Sequence, residues 1–432
     1  MKKTLLLLLL LPVLAAAQSE QTLPSHEALK ADIQANLFRA ALNEVHYEYA
    51  PGPRTPAPSG YKPFYISHYG RHGARSNWAG KKYASVQKKY AAAAQAGVLT
   101  PEGLAAKEQI DEAIRIHDNM DGRLSPLGVQ EHRDIAGRMY RSYKRVFTKG
   151  SKKITARSSV VPRVLVSMAS FTGELLSCQG DLVISLDTGE ELMKILSTDS
   201  PRPVTDSVKR ILARHRQTHV PDTSAFMARI FTDVAKGRAL TGNPVTLMQE
   251  TFDMGTTTSA FGLDDRLFRL FSLEELCAYE QYVALSFYLR QCNSVEFGDD
   301  RMPSVDPLIT DIIEKADAAI AGAEVAADLR FGHDYQVLAL GSRLGLDGIA
   351  QRYTATECLD WPGWRYTPFA ANIQLIFYRN RKGDVLVKPL LNERETRILG
   401  LDGFPYYRWE DYKAWLIAHW PAPTAMETVN TF

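Results

Sequence analysis

Strand-like runs in this chain of 432 residues lie early and late, with an almost unbroken helical pattern between them. "FYIS" at residues 64–67 and "KKITARSS" at 152–159 are short runs rich in aromatic or β-branched residues. From about residue 207 to 323, segments such as "SVKRILARH", "AFMARIFTDVAKG" and "PLITDIIEKADAAIAGA" carry apolar residues at helical spacing instead. Strand signals return at "DLRF", residues 328–331, and in "NIQLIFYRNRKGDVLVKPLL", two apolar runs around Lys382, Gly383 and Asp384 that read as a hairpin. This arrangement predicts an α/β fold with an inserted helical subdomain. The expected boundaries are residues 18–160 and 326–432 for the α/β core and 161–325 for the helical insert.

The first residues read as a leader. Met1, Lys2 and Lys3 precede an apolar stretch that ends in Ala15, Ala16 and Ala17 before Gln18, the layout of a secretory signal peptide cleaved after residue 17. The stretch is shorter than the roughly 20 residues a bilayer-spanning helix needs. Export to a periplasm or out of the cell, with no membrane attachment after cleavage, is the expectation. Removing residues 1–17 takes two lysines from the 51 basic residues and leaves 49 against 49 acidic ones. Duplex-binding proteins show a basic excess, so nucleic acid is excluded as a partner.

Export also permits disulfides among Cys178, Cys277, Cys292 and Cys358. One pairing is excluded by length. "SLEELCAYEQYVALSFYLRQC" opens with a capping box, Ser272 and Glu275, and continues as a helix through Cys292. Fifteen helical steps put Cys277 and Cys292 about 22 Å apart, beyond disulfide reach.

The chemistry concentrates in "KPFYISHYGRHGARSNW", where His68, Arg71, His72 and Arg75 surround Gly70 and Gly73. A strand that turns through glycines into a helix exposes free N–H groups and a positive helix end to an anion. Arg71 and Arg75 add guanidinium forks that match phosphate oxygens, and His72 is the nucleophile candidate between them. A metal on His68 and His72 is disfavoured: their spacing suits a helix, Gly70 interrupts one, and two arginines repel a cation. No metal or cofactor is expected. "RFGHDYQVL" repeats the logic, with Gly332, His333 and Asp334 between a strand and a helix, and Arg157 ends a strand in "TARSSVVPRVLVSMASF". Ligands of α/β proteins sit at carboxyl ends of strands, so these corners can converge.

Together, Arg71-His72-Gly73-Ala74-Arg75, "ARSSVVPRVLVSMASF" and the late His333-Asp334 resemble branch 2 of the histidine phosphatase superfamily, the histidine acid phosphatases and phytases. "LSPLGVQEHRDIAGRMY" and "PFAANIQLIFYR" are similar to the multiple inositol polyphosphate phosphatases of that branch. Those enzymes usually carry His-Ala-Glu where this chain has His333-Asp334, the form of acid phosphatases and many phytases. The resemblance implies a phosphoglycerate-mutase-like core, a mixed, mostly parallel sheet flanked by helices. It implies phosphomonoester hydrolysis, with phytate or other inositol polyphosphates favoured and a broad-specificity acid phosphatase as the alternative. His72 would become phosphohistidine, Arg71, Arg75, Arg157 and His333 would hold the phosphoryl oxygens, and Asp334 would donate the proton. An inactive phosphate binder would not need His72 and Asp334 together.

Lys81 and Lys82 are candidates for further phosphates of a polyphosphorylated substrate, against the commoner reading of a solvated helix face. His68, His132 and Arg163 are expected to be structural, Arg163 with a supporting place behind the pocket. An ordinary Asp carboxyl titrates near 3.9, and a neighbouring phosphate dianion raises it, so acidic conditions should favour turnover.

Overall fold

The computed structural model describes residues 23–77, 83–219 and 221–419. The leader at 1–17 and the candidates Lys81 and Lys82 lie outside the described residues.

An eight-stranded sheet organises the chain. Its strands are β1 (Lys62–Arg71), β2 (Lys153–Ser158), β3 (Val183–Thr188), β4 (Ala327–Gly332), β5 (Asn372–Arg379), β6 (Val385–Leu391), β7 (Arg394–Glu395) and β8 (Tyr407–Arg408). The order is β3-β2-β4-β1-β5-β6-β7, with β8 on β6. Strands β1 to β4 run parallel; β5 joins β1 antiparallel and β6 reverses again, so most strands share one direction. The expected mixed sheet is therefore present, and the late hairpin forms β5 and β6 with Gly383 in a left-handed turn at φ 92°.

β4 is buried along its length because helices cover both faces. On one face Ile66, Leu329 and Phe331 pack with Met168, Phe171 and Leu175 of the Pro162–Cys178 helix. On the other, Tyr65 and Tyr69 pack with Leu308 and Ile312 of the Asp306–Ile320 helix and Val337 and Leu338 of the Asp334–Arg343 helix. β1 outruns the apolar "FYIS" because its later polar residues find partners in the interior. Ser67 accepts from Arg330 at 2.9 Å, and His68 packs against the rings of Phe171 and Phe331.

Residues 161–325, expected as one insert, divide among three cores. The Pro162–Cys178 helix joins the α/β core on one face, while the Asp306–Ile320 helix covers the other and the Arg202–Thr218 helix packs on the Leu273–Gln291 helix in the same cluster. Only the middle of the stretch, including Phe226, Leu247, Phe252 and Phe268, packs with the Tyr83–Gln95 and Pro101–His117 helices in a separate core. A helical period identifies an apolar stripe; it does not say which surface that stripe will cover. The Ser272 and Glu275 capping box forms as expected, and Cys277 and Cys292 sit near opposite ends of that helix. Among the described residues no helix is long and apolar enough to cross a membrane.

Candidate active site

Parallel pairing of β1 and β4 sets Arg71 opposite Gly332, which joins the two glycine corners. The His72 N–H donates to the Gly332 carbonyl at 3.0 Å, and the Ala370 N–H donates to the His72 carbonyl at 2.9 Å. The His72 and His333 rings then meet edge to face with centroids 5.7 Å apart. The corner at His72 differs from expectation in one respect: residues 73–77 are irregular, so the strand does not turn directly into a helix.

His72 is 2% exposed, and its Nδ1 lies 2.9 Å from the Gly73 carbonyl oxygen. A carbonyl only accepts, so Nδ1 carries the proton and Nε2 keeps its lone pair. Burial holds the imidazole well below its ordinary pKa, and Arg71, Arg163, Arg75 and His333 add to the effect. His333 is lowered to about 4 by burial and by Arg163, with Asp334 opposing. Its Nε2 lies 3.2 Å from Ser159 Oγ and its ring stacks on Tyr335 at 5.0 Å.

Asp334 opens its helix and gathers donors. Asn43 Nδ2 donates to its Oδ2 at 2.8 Å, the Tyr335 N–H to its Oδ1 at 2.8 Å, and Arg71 Nη2 stands 3.0 Å from Oδ2. Burial raises this carboxyl, but Arg71, Asn43, His333 and the Tyr335 N–H outweigh it and hold it at about 2. Arg71 is fully buried, with Nη1 donating to the carbonyls of Asn43 and Thr367 and the guanidinium 4.7 Å over Phe369. Arg75 reaches Glu44 at 3.2 Å, and Glu44 also accepts from Thr256 Oγ1 at 3.0 Å.

The third arginine of this cluster is Arg163. Arg157 lies elsewhere: its Nη1 and Nη2 grip both oxygens of Asp311 at 2.9 and 2.7 Å, and Arg330 Nε reaches the same carboxylate at 2.7 Å. The reason is the two-residue alternation of a strand. Ile154 and Ala156 face one core, so Arg157 points to the opposite side of the sheet, where the Asp306–Ile320 helix presents Asp311. Arg163 instead follows Pro162 in the first turn of the next helix, beyond the strand's end. It makes no side-chain hydrogen bond or ion pair with any described residue, and its Nε is buried without a partner. Burial, with Arg75 and Arg71 adding to it and Asp334 opposing, lowers it to about 10. Its charge therefore shares the space bounded by His72, Arg71, Arg75 and His333.

Beneath the turn, buried Glu131 accepts the Ala74 N–H at 2.7 Å and the Tyr47 N–H at 2.8 Å. Burial pushes its carboxyl up to about 7 against those donors and Arg71. Ser167 Oγ accepts from the Gly73 N–H at 3.2 Å, and Ser125 Oγ donates to the Ala74 carbonyl at 3.0 Å. Gly73 and Gly128 lie backbone to backbone: a Cβ on Gly73 would stand 2.5 Å from the Gly128 oxygen, and one on Gly128 would stand 2.7 Å from the Ala74 nitrogen. His68 and His132 are buried against Phe171 and Phe331, each lowered to about 3 chiefly by burial, in the structural places expected of them.

Sequence reasoning did not single out Asn43, Glu44, Glu131 or Tyr335. Glu131 lay within the quoted "LSPLGVQEHRDIAGRMY", whereas nothing in the lead-in before the proline-rich segment marked Asn43 or Glu44. The assembled pocket offers an unprotonated imidazole nitrogen, three guanidinium groups and a carboxyl. Those groups suit the binding of a tetrahedral oxyanion and displacement at its centre.

A family profile described as "Histidine phosphatase superfamily (branch 2)" matches residues 70–392. A multiple inositol polyphosphate phosphatase of Bifidobacterium longum, solved in complex with phosphate, superposes with a TM-score of 0.71 at 18% identity, over 88% of this chain and 98% of that one. The phytase from D. castellii superposes with a TM-score of 0.67 at 16% identity, over 89% of this chain and 86% of that one. Among curated proteins no sequence matches.

Proposed function

The chain belongs to branch 2 of the histidine phosphatase superfamily, and from that premise we propose that it hydrolyses phosphomonoesters through a phosphohistidine at His72, with phytate or other inositol polyphosphates as its favoured substrates. One observation carries the reading: the Nδ1 contact to the Gly73 carbonyl leaves Nε2 of His72 free inside a cluster of three arginines.

The substrate's phosphoryl oxygens take hydrogen bonds from Arg71, Arg75, Arg163 and His333, which offset the charge that develops in the transition state. Arg163 takes the part the resemblance assigned to Arg157. His72 Nε2 attacks phosphorus and the bond to the ester oxygen breaks. The Gly73 carbonyl, facing Nδ1–H, supports the positive charge left on the phosphorylated ring. Asp334 gives its proton to the leaving alkoxide. In the second step the Asp334 carboxylate takes a proton from water, the water oxygen attacks phosphorus, the P–N bond breaks and neutral His72 returns.

Asp334 must be protonated for the first step, and in the free pocket Arg71 and Asn43 hold it ionised. A bound phosphate dianion competes for Arg71 and adds like charge beside the carboxyl; both raise its pKa. Turnover then favours acidic solution, while the depressed His72 remains unprotonated there. Substrates with several phosphates are supported by the shared fold with the inositol polyphosphate phosphatase and the phytase. The His333-Asp334 pair favours a broad-specificity acid phosphatase as the second reading. The leader at residues 1–17 is proposed to direct export.

The test is phosphate release by the purified chain lacking residues 1–17, from phytate and from nitrophenyl phosphate, with chelator added and His72→Ala alongside. Release from phytate that survives the chelator and vanishes in His72→Ala is expected. No release from either ester sinks the reading, and loss on chelation sinks the metal-independent step.

A further inference from the structure

The pocket occupies one end of β1 and β5, and a second concentration of positive charge occupies the other. β1 begins at Lys62, opposite Arg379 at the end of β5. Nine strand steps separate Lys62 from Arg71, so this end lies about 30 Å from the pocket. There a groove of about 770 Å³ is lined by Lys62, Arg145, Arg379, Arg381 and Lys382, with Asp384 its single carboxylate. Asp384 is already engaged, accepting from Asn380 Nδ2 at 2.7 Å. Arg379 is fixed, its guanidinium 4.3 Å over the Phe64 ring and donating to the Ile320 carbonyl.

The side chains of Lys62, Arg145, Arg381 and Lys382 take part in no hydrogen bond or ion pair among the described residues. Some surface cations are paired, as Lys30 is with Glu274 at 2.6 Å and Lys153 with Glu324 at 2.7 Å; what sets these four apart is that they gather around one groove. General basicity does not explain the cluster, because the sequence carries 51 basic residues against 49 acidic ones. Uncompensated like charges around a concavity repel each other and focus a positive potential into it, and a compact polyanion relieves both. The groove, between the turn at residues 59–60 and the β5–β6 hairpin, has room for such a molecule.

We propose that this groove is a second, non-catalytic binding site for a small molecule bearing several phosphate or sulfate groups. The assignment is independent of the chemistry at His72, and no bond is made or broken in it.

Calorimetric titration of the full chain at low ionic strength with inositol hexasulfate, whose sulfate esters stand in for phosphates, tests it. Two binding events are expected. The combined substitution Arg145→Ser, Arg381→Ser and Lys382→Ser weakens one of them by about tenfold or more and leaves nitrophenyl phosphate turnover within about twofold. Arg163→Ala weakens the other. Acylation footprinting reads the groove without any variant: hexasulfate should protect Lys62 and Lys382 in the unaltered chain. A single event abolished by Arg163→Ala, with both lysines unprotected, overturns the proposal. Two events that survive the triple substitution overturn it too, as does capture on anionic phospholipid vesicles through these residues without a hexasulfate event in the groove.

Discussion

Two arginine clusters flank the parallel half of the sheet, and they are built on opposite principles. Arg157 and Arg330 close on Asp311, so their charges are spent inside the molecule. Arg71 and Arg75 pair singly with Asp334 and Glu44, and Arg163, whose charge acts on His72 beside theirs, has no ion-pair partner among the described residues. The first cluster is an internal brace of the kind whose loss destabilises a protein. The second stores unsatisfied positive charge, which raises the energy of the empty site and falls when an anion enters. Two arginines six positions apart, Arg157 and Arg163, thus belong to different parts of the physics.

Substitutions can break that contrast. The largest effect is expected of His72→Ala, a loss of about 10⁴-fold or more in turnover, read by phosphate release with the fold checked by circular dichroism. Arg163→Ala should lower kcat/KM by about 10²- to 10³-fold with little change in thermal midpoint, since it removes like-charge repulsion rather than an ion pair. Comparable losses in Arg157→Met would mean that the braced cluster also meets substrate. Asp334→Asn should slow poor leaving groups about 10²-fold, spare nitrophenyl phosphate and flatten the acid preference. Equal losses on both esters would remove Asp334 from the proton-donor role.

The braced cluster should answer in stability instead. Asp311→Asn strands buried Arg330 and half-buried Arg157, a destabilisation of about 3 kcal/mol in urea unfolding at neutral pH. Burial raises the Asp311 carboxyl, but Arg330 and Arg157 outweigh it and hold the folded pKa below the ordinary value. Such a group stabilises the fold above its unfolded pKa near 3.9 and loses that contribution as pH falls through the folded value. The gap between Asp311→Asn and the unaltered chain should therefore narrow below about pH 4. Smallest of all, Arg157→Met should cost about 1 kcal/mol and leave turnover per folded molecule within about twofold.

The contrast also marks what sequence could and could not reveal. His72, Arg71 and Asp334 were legible because strand, glycine and helix signals are local and the residues follow directly on them. The hairpin and the capping box were legible for the same reason. A strand-end position suggests Arg157 for the pocket, but the strand's own alternation, in which Ala156 is buried, sends Arg157 to the far face. Asn43 and Glu44 reach the pocket only through tertiary packing of the lead-in, and no periodicity records that. Residues 161–325 carry apolar faces that join three different clusters, and a helical period does not tell those faces apart.

Gly73 and Gly128 touch through main-chain atoms, and main chain cannot be trimmed by any replacement elsewhere. A side chain introduced at either glycine has no second-site suppressor of the usual kind, a smaller neighbour opposite, because the nearest atoms opposite are main chain, of Gly128 in one case and of Ala74 in the other. Random mutagenesis with selection for recovered turnover should accordingly return reversions at these two positions and almost nothing else. The pair makes the turn after His72 unusually closed to evolutionary repair.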